Sequence, residues 1–376
     1  MKMLSMLLKI LKITKQNKQI YKALTRIRVG EMGNRDLPNL NEAMSILDSA
    51  HSEPINKKLQ ISLVKKKKYD LKIIIGAHNA GKYLNTCLKS ILSQKTNYSF
   101  NITIIDDGST DMTTDILKQY VQIPCINIIE QGRQGIAAAR NIGLKTIDSH
   151  YIMFVDADDT LAGGAIQNLL DTAYENNSDL VVASYRTFLN RFITIHQTMY
   201  TFQRTLGKID IKDGYPWGKL FRSELFTKVK FPEGFLFEDT ILIYLIYPQC
   251  EIITSVSNII YNYRYNLRGV TQTSKGSLFS IDSFWVTNNI LRDIKKYELS
   301  YDQYMYEVTL RQIKVNFMRT SYLDENIKKS IFVLSELMLS RYFEGFSTSD
   351  VQLRPLDIAL HSHNYINYAL FCLLFS

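Results

Sequence analysis

The sequence predicts an α/β fold with a parallel sheet, followed by a helical domain. Between residues 71 and 159, short apolar runs alternate with amphipathic stretches in the order strand, helix, strand, helix. This alternation is typical of parallel strands joined by right-handed crossovers. From about Ser277 to the end of the chain, the patterns are helical and rich in Leu, Ile and Tyr. We therefore expect two parts of different architecture.

The α/β part is expected to contain four strands and three helices. The strands are the runs LKIII (71–75), FNITIIDDGS (100–109), INIIEQ (126–131) and YIMFVDADD (151–159). The first helix begins in the turn GAHNAGKYL (76–84) and ends at about Ser93. The second helix lies in TDMTTDILKQYV (110–121), and the third lies in GIAAARNIGLKTI (135–147). In residues 214–242 the hydrophobic pattern no longer follows a single period. This is expected if the second half of the α/β domain closes over a cleft.

The first residues form a basic amphipathic pattern. On a helical wheel, lysines at 2, 9 and 12 share one face, and leucines at 4, 7, 8 and 11 share the opposite one. Such a helix can lie in a membrane interface, or can pack on the rest of the protein or on another subunit. Polar residues 30–69 end in four lysines and are predicted to be a linker. The predicted domains are a basic N-terminal helical extension and linker (1–69), the α/β domain (70–275) and the helical domain (276–376).

Composition excludes several classes of protein. The 376 residues carry a net charge of +9, which favours anionic partners. No nucleic-acid-binding module is recognisable, so we expect no nucleic-acid partner. The 4 cysteines form no C-x-x-C pair, which argues against a zinc cage or a disulfide framework. No stretch approaches the roughly 20 apolar residues of a membrane span. A cytoplasmic location is expected, with peripheral contact at the inner face of the membrane through the basic helix.

Acidic residues follow two of the predicted strands. Asp106 and Asp107 end the second strand, and Asp156 and Asp158 end the fourth. Ligands of such sheets bind beyond the carboxyl ends of the strands. Residues at i and i+2 of a strand point to one side, so Asp156 and Asp158 can converge on one Mg²⁺ or Mn²⁺ ion that holds a diphosphate. An isolated D-x-D is also compatible with an acidic turn that caps the next helix.

Several segments together carry a resemblance to a known family. They are IIIGAHNAGKYLNTCLKSILSQ, ITIIDDGSTD, GIAAARNIGL, YIMFVDADD, WGKLFRSELF and FEDT. Their order and spacing resemble those of the inverting family 2 glycosyltransferases of GT-A fold, over roughly residues 70–270. The chain lacks the Q-x-x-R-W element of processive synthases, which favours a non-processive bacterial type. Gly76 and His78 depart from the proline and tyrosine that are common at these positions.

The resemblance implies roles for eleven residues. Asp239 is the expected catalytic base, with Glu238 as the next candidate; Asp158 is the likelier metal ligand, with Asp156 beside it. The nucleotide would be bound by Gly76, Ala77, His78, Asp107, Arg140 and Asp156, and the acceptor side would contain Trp217 and Lys219. Arg140 is equally well explained as a surface residue of its helix. Trp217 is also compatible with a position in the core rather than on the acceptor side. Arg264 or Arg268 could reach the diphosphate, although surface arginines are commoner.

The expected reaction is metal-dependent transfer of one sugar, with inversion. The donor would be a UDP-hexose or UDP-N-acetylhexosamine and the acceptor a hydroxyl of a lipid-linked or protein-linked glycan in capsule, exopolysaccharide or cell-wall assembly. Two alternatives stay open: an enzyme that acts on a glycoprotein adhesin, and a non-catalytic GT-A-fold partner of an active subunit. A homo-oligomer is also open. A dehydrogenase is disfavoured because the first turn has no G-x-G-x-x-G.

Overall fold

A computed structural model describes residues 36–54, 62–63, 67–190, 193–206, 214–266, 269, 273–274 and 276–375. The chain divides into two compact units. One unit is residues 54–267, and the other combines residues 1–53 with residues 268–376. The amphipathic pattern of residues 1–18 lies outside the described residues.

The unit of residues 54–267 is built on a mixed sheet. Its main path runs in the order β10-β12-β8-β11-β6-β2-β3-β4, with β7 on β12 and β9 on β8. The strands are β1 (Ser62–Leu63), β2 (Tyr69–Ala77), β3 (Phe100–Asp107), β4 (Ile126–Gln131), β5 (Thr146–Ile147), β6 (Ser149–Phe154), β7 (Thr160–Leu161), β8 (Leu180–Asn190), β9 (Ile193–Thr198), β10 (Gln203–Leu206), β11 (Lys219–Arg222) and β12 (Ile252–Arg264). A separate short pair joins β1 to β5.

The prediction of strands alternating with helices is confirmed in this unit. The helices are α2 (Leu84–Leu92), α3 (Thr113–Lys118), α4 (Ile136–Leu144) and α5 (Ala165–Asn176). Strands β2, β3, β4 and β6 are parallel, as expected. The antiparallel strands β9, β10 and β11 were not predicted, because their pairing depends on residues far away in the chain. Strand β6 ends at Phe154, before the acids that the sequence placed within it.

The central strands are buried because their sequences are largely apolar. The side chains of β2 from Leu71 to Ile75 have almost no exposed surface. Helix α4 lies unusually close to this strand because two glycines remove side chains from the contact. A Cβ atom on Gly76 would come within 2.5 Å of Ile136 Cδ1, and one on Gly143 would meet the side chain of Ile74. The sequence therefore fixes α4, and with it Arg140, directly over the end of β2.

The other unit is helical, as predicted for the end of the chain. Its helices are α1 (Leu40–Ala50), α6 (Asp282–Asp293), α7 (Gln303–Thr320), α8 (Glu325–Tyr342), α9 (Arg354–His361) and α10 (Tyr365–Leu374). Of the helices that the structure describes, none combines the length and the apolar character needed to cross a membrane.

Helix α1 belongs to this helical unit. Asn39 and Glu42 form a reciprocal capping box at its start. After its end, His51 Nε2 lies 2.8 Å from Asp282 Oδ1, and Trp285 Nε1 donates to the His51 carbonyl oxygen at 2.9 Å. This helix was not predicted, because residues 30–69 were expected to be a polar linker. Only Ala43 and Leu47 of α1 are buried, so the apolar stripe of the helix is narrow.

Candidate active site

The candidate site lies at the carboxyl edge of the sheet. Strands β2, β3, β6, β8 and β12 run in the same direction, because β11 is antiparallel to both β6 and β8. The residues that follow β2, β3 and β6 therefore meet at one edge, together with the end of β12. This is the edge at which open α/β sheets bind ligands.

The acids after β6 form a turn rather than the end of a strand. The Asp159 amide donates to the Asp156 carbonyl oxygen at 3.0 Å, and the Asp156 amide donates to the Tyr261 hydroxyl oxygen at 3.1 Å. The prediction that Asp156 and Asp158 point to one side of a strand was therefore wrong in its reason, because the strand stops at Phe154. Their carboxylates are brought near each other by the turn.

Basic and amide groups from the end of β12 hold this turn. The Arg264 amide donates to Asp159 Oδ1 at 2.6 Å, and Arg264 Nε donates to the Asp158 carbonyl oxygen at 2.7 Å. Asn266 Nδ2 lies 3.3 Å from Asp158 Oδ2. Arg264 thus orders the backbone of the turn, and Arg268 lies outside the described residues.

The electrostatics of the turn suit a bound cation. Burial raises the pKa of the Asp158 carboxyl, and the charge of Asp156 raises it further. Burial also raises the pKa of Asp159 well above its ordinary value, with further contributions from Asp156 and Asp158. A divalent cation beside Asp156 and Asp158 would relieve this repulsion. Within the part of the chain that the structure describes, no three His, Cys, Asp or Glu side chains form a metal site by themselves.

Arg140 connects the turn to a second acidic motif. Its guanidinium is 5% exposed, which excludes the surface position that the sequence left open. Arg140 Nη2 donates to Asp156 Oδ1 at 3.2 Å, and Nη1 forms a short ion pair with Glu238 Oε1. Burial lowers the pKa of Arg140, but Glu238 and Asp156 more than offset that effect and the net shift is upward. Arg140 is therefore charged and holds the two acids together.

Glu238 and Asp239 lie in a short 3₁₀ helix, Glu238–Thr240. The preceding residue, Phe237, has φ +63°, a left-handed conformation that costs energy for a bulky side chain. Glu238 is buried, and burial raises its pKa, with Asp239 adding to the effect and Arg140 opposing it. Asp239 is only partly buried. Of the two acids, Asp239 is thus the one with more access to solvent.

The two acids that end β3 are hydrogen-bonded by the chain itself. Asp107 is 2% exposed and accepts hydrogen bonds from Gln131 Nε2 at 2.7 Å and from the amides of Gln134 and Gly135 at 2.7 and 2.8 Å. Asp106 accepts from the Ser109 amide at 3.0 Å and from Thr114 Oγ1 at 2.8 Å. Asp107 thus holds the loop that precedes α4, and its contact with a nucleotide base stays a prediction.

The end of β2 offers mainly backbone to a ligand. Ala77 is buried in the core and Gly76 is required for the close approach of α4. His78 is partly buried, and its Nδ1 lies 2.8 Å from the Asp107 carbonyl oxygen. The imidazole is therefore positioned by the neighbouring strand, and of the three predicted nucleotide ligands here it is the one whose side chain has room for a partner.

The structure buries both predicted acceptor-side residues, Trp217 and Lys219. The Trp217 ring is 7% exposed and stacks on Tyr215 at 3.8 Å and on Tyr261 and Tyr263 at 4.9 Å. Lys219 is 1% exposed, and its Nζ donates to the Tyr215 carbonyl oxygen at 2.9 Å. Since tyrosines cover its ring, Trp217 takes the core position that the sequence left open, and the acceptor role of both residues stays a prediction.

Two contributions to the site were missed from the sequence. Tyr261 reaches the turn from β12, and the 131–135 loop supplies the donors to Asp107. The sequence signal for Tyr261 was weak, because tyrosines are common throughout the chain. A better signal existed for Arg140, since a charged residue inside the apolar helix IAAARNIGL must find a buried partner.

A family comparison agrees with this geometry. Residues 72–230 match the model of "Glycosyl transferase family 2". This range contains most of β2, the strands β3 to β6, α4 and the acidic turn. Residues 72–230 are therefore a glycosyl transferase family 2 domain of GT-A fold, and this domain identifies a transferase enzyme.

Individual proteins show the same relationship. Glycosyltransferase GlyA of Streptococcus pneumoniae is 29% identical over 212 residues, which are 51% of this chain and 30% of that protein. Cholesterol galactosyltransferase of Borreliella burgdorferi is 24% identical over 81% of this chain and 96% of that protein. The crystal structure of S. aureus TarS 1-349 in complex with UDP-GlcNAc superposes with a TM-score of 0.64 at 19% identity, covering 80% of this chain and 89% of that one.

Proposed function

We propose that this protein moves one sugar from a UDP-hexose or UDP-N-acetylhexosamine to a hydroxyl of a lipid-borne glycan acceptor, with inversion. One observation supports this most strongly: Arg140 joins Glu238, next to the expected base, to Asp156 of the D-x-D turn. An inverting transfer needs its base and its diphosphate site within one sugar ring of each other, and this ion pair brings the two motifs together.

The reaction requires a single displacement. The acceptor oxygen attacks the anomeric carbon of the donor, the bond from that carbon to the phosphate oxygen breaks, and the electron pair leaves with UDP. The acceptor proton passes to the Asp239 carboxylate, and a general base of this kind contributes about 10²–10⁴-fold. Because the enzyme forms no covalent intermediate, the anomeric configuration inverts.

The acidic turn is proposed to hold the diphosphate end of the donor. Asp158 and Asp156 fit a Mg²⁺ or Mn²⁺ ion, which commonly takes one or two protein carboxylates together with substrate phosphates. Such an ion would stabilise the charge of the leaving group as a Lewis acid. Arg140 keeps Asp156 in place, and Arg264 fixes the backbone of the turn.

Names of similar proteins support the donor and acceptor classes. The TarS structure contains UDP-GlcNAc, which is a UDP-N-acetylhexosamine. The Borreliella relative is a galactosyltransferase that uses cholesterol, which is a lipid. The chain spans less than a third of the length of GlyA, so the resemblance to that protein concerns one domain. A place in capsule, exopolysaccharide or cell-wall assembly is proposed on the same basis.

The test is a panel of nucleotide-sugars with Asp239→Asn as the diagnostic variant. Wild-type protein should consume one or a few UDP-sugars, transferring the sugar to a lipid-borne acceptor and releasing UDP. Asp239→Asn keeps the shape and removes the proton acceptor, so kcat should fall by about 10²-fold or more at nearly unchanged UDP affinity. Asp115→Asn, on an exposed acid of α3, serves as the matched control. Wild-type rates in Asp239→Asn would assign the base elsewhere, and no consumption of any nucleotide-sugar would reject the function.

A further inference from the structure

The connection from β8 to β10 exposes an unusual number of large apolar side chains. Leu189 is 43% exposed, Ile193 49%, Ile195 51% and Met199 57%. We call the two-stranded segment formed by the end of β8 and by β9 the β8–β9 ribbon. Isolated exposed apolar residues are ordinary, but several along one short ribbon indicate a surface that meets another apolar phase.

The connection from β8 to β10 carries positive charges and no negative ones. From Ala183 to Leu206 the sequence has three arginines, at 186, 191 and 204, one histidine, and neither aspartate nor glutamate. Arg186 and Arg204 are exposed. Apolar side chains among basic ones are the composition of a surface that meets anionic headgroups and the upper acyl chains of a bilayer.

The ribbon is physically linked to the acidic turn. The Tyr265 amide donates to the Phe188 carbonyl oxygen at 2.8 Å, and the Arg264 guanidinium lies 4.5 Å from the Phe188 ring centroid. Arg264 in turn binds the backbone of Asp158. A contact made by the ribbon is therefore made beside the carboxyl edge of the sheet, where the acceptor must arrive.

Other occupants fit the ribbon less well. The pairing of β8 with β9 shifts register on both sides of Phe188, and such bulges disfavour the addition of a strand from a second copy. A second copy would also bring arginines against arginines. A soluble acidic glycan would be recognised by polar and aromatic groups, whereas Leu189, Ile193 and Ile195 are aliphatic.

We propose that the β8–β9 ribbon is a docking surface for an anionic lipid bilayer, which places the acidic turn at the membrane surface. The proposal rests on the proposed function only in that the acceptor is lipid-borne. It is independent of the basic residues 1–18, which lie outside the described part of the chain. The ribbon would insert its aliphatic side chains shallowly, and Arg186 of the ribbon and Arg204 of the adjoining β10 would lie among the headgroups.

The first experiment is co-sedimentation of the full chain with vesicles of phosphatidylcholine, with and without phosphatidylglycerol, at low and high salt. The double variant Ile193→Asp, Ile195→Asp should lower the partition coefficient onto anionic vesicles at least fivefold. Val121→Asp, at an equally exposed apolar position, is the matched control and should stay within twofold of wild type. The variant Lys9→Glu, Lys12→Glu should keep the part of vesicle binding that comes from the ribbon. Adding Ile193→Asp and Ile195→Asp to this variant should therefore lower the partition coefficient further.

The second measurement does not depend on how the aspartate variants fold. The chain has 2 tryptophans, Trp217 and Trp285, and both are buried. Ile195→Trp therefore adds an exposed reporter, and its emission should shift to the blue with anionic vesicles and not with neutral ones.

Three results would overturn the proposal. The first is wild-type protein that stays in the supernatant with anionic vesicles at low salt. The second is an unshifted emission of Ile195→Trp together with full binding of the double aspartate variant. The third is binding of soluble polyphosphate, or a dimer that the ribbon variants dissociate, without vesicle binding. Donor hydrolysis, measured without vesicles, reports separately on the proposed function.

Discussion

Two pairs of acids lie at the ends of β3 and β6, the strands on either side of β2, and their surroundings differ. Asp106 and Asp107, the last residues of β3, are buried and accept hydrogen bonds from nearby loops and α3. After β6, burial and the charge of Asp156 raise the pKa of Asp158, and Asp156 is bound by a buried arginine. The first pair is satisfied by the chain itself, whereas the second is the pair that we propose to hold a cation. Acids in the same sequence context can thus serve the architecture or the ligand.

The largest expected effect is the loss of turnover when the metal is removed, and it should distinguish the acids after β6 from those that end β3. Excess chelator should abolish turnover, and Asp158→Ala should weaken UDP binding only when Mg²⁺ or Mn²⁺ is present, because the loss is transmitted through the ion. Isothermal titration of UDP with and without the metal measures this. Asp107→Asn, the matched variant after β3, should change UDP binding equally with and without metal. Full activity in chelator would remove the cation from the comparison.

The next effect concerns stability. Arg140→Met leaves Glu238 buried without its counter-charge, so the free energy of unfolding should fall by about 3–5 kcal/mol. Because the pKa of Glu238 is then raised further in the folded state, folding stability should fall as pH rises through that pKa and recover as pH falls. Urea unfolding at several pH values measures both. Adding Glu238→Gln should restore part of the loss, and simple additivity in the double variant would show that the two side chains are not coupled.

A smaller loss is expected at the satisfied pair. Asp107→Asn replaces an acceptor of two backbone amides by a group that presents a donor, so about 1–3 kcal/mol of stability should be lost. The loss should be local to the 131–135 loop, and hydrogen exchange of Gln134 and Gly135 should show it. Unchanged exchange at these amides would mean that the carboxylate does not hold the loop.

The smallest effect is expected at an acid outside both pairs. Asp115 and Lys118 form an ion pair at 2.8 Å, but both side chains are largely exposed, and solvent screens their attraction. Asp115→Asn should leave both the melting temperature and kcat unchanged within error. A measurable decrease in either would show that acid placement on this unit matters beyond the two pairs.

The sequence by itself determined the alternation of strands and helices, and therefore the edge at which the acids gather. Apolar runs such as Leu71–Ile75 predict buried strands because burial of a continuous run needs cover on both faces. The same logic places Asp107 and Asp158 at the ends of predicted strands, whereas the expected role of Asp239 is implied only by the resemblance of FEDT to the family. These signals lie within single segments, so they can be recognised without knowing which other segments pack against them.

Only the tertiary structure decided which polar groups are partners. Arg140 and Glu238 are 98 positions apart in the chain, and nothing in either segment indicates the other. The sequence left open whether Trp217 lies in the core, and the tyrosines of β12 cover its ring, while Lys219 is buried as well. The turn at Asp156 is shaped by Tyr261 and Arg264 from the same distant strand. The physical reason is that burial and pairing depend on chain segments that folding brings together, and sequence spacing does not encode those distances.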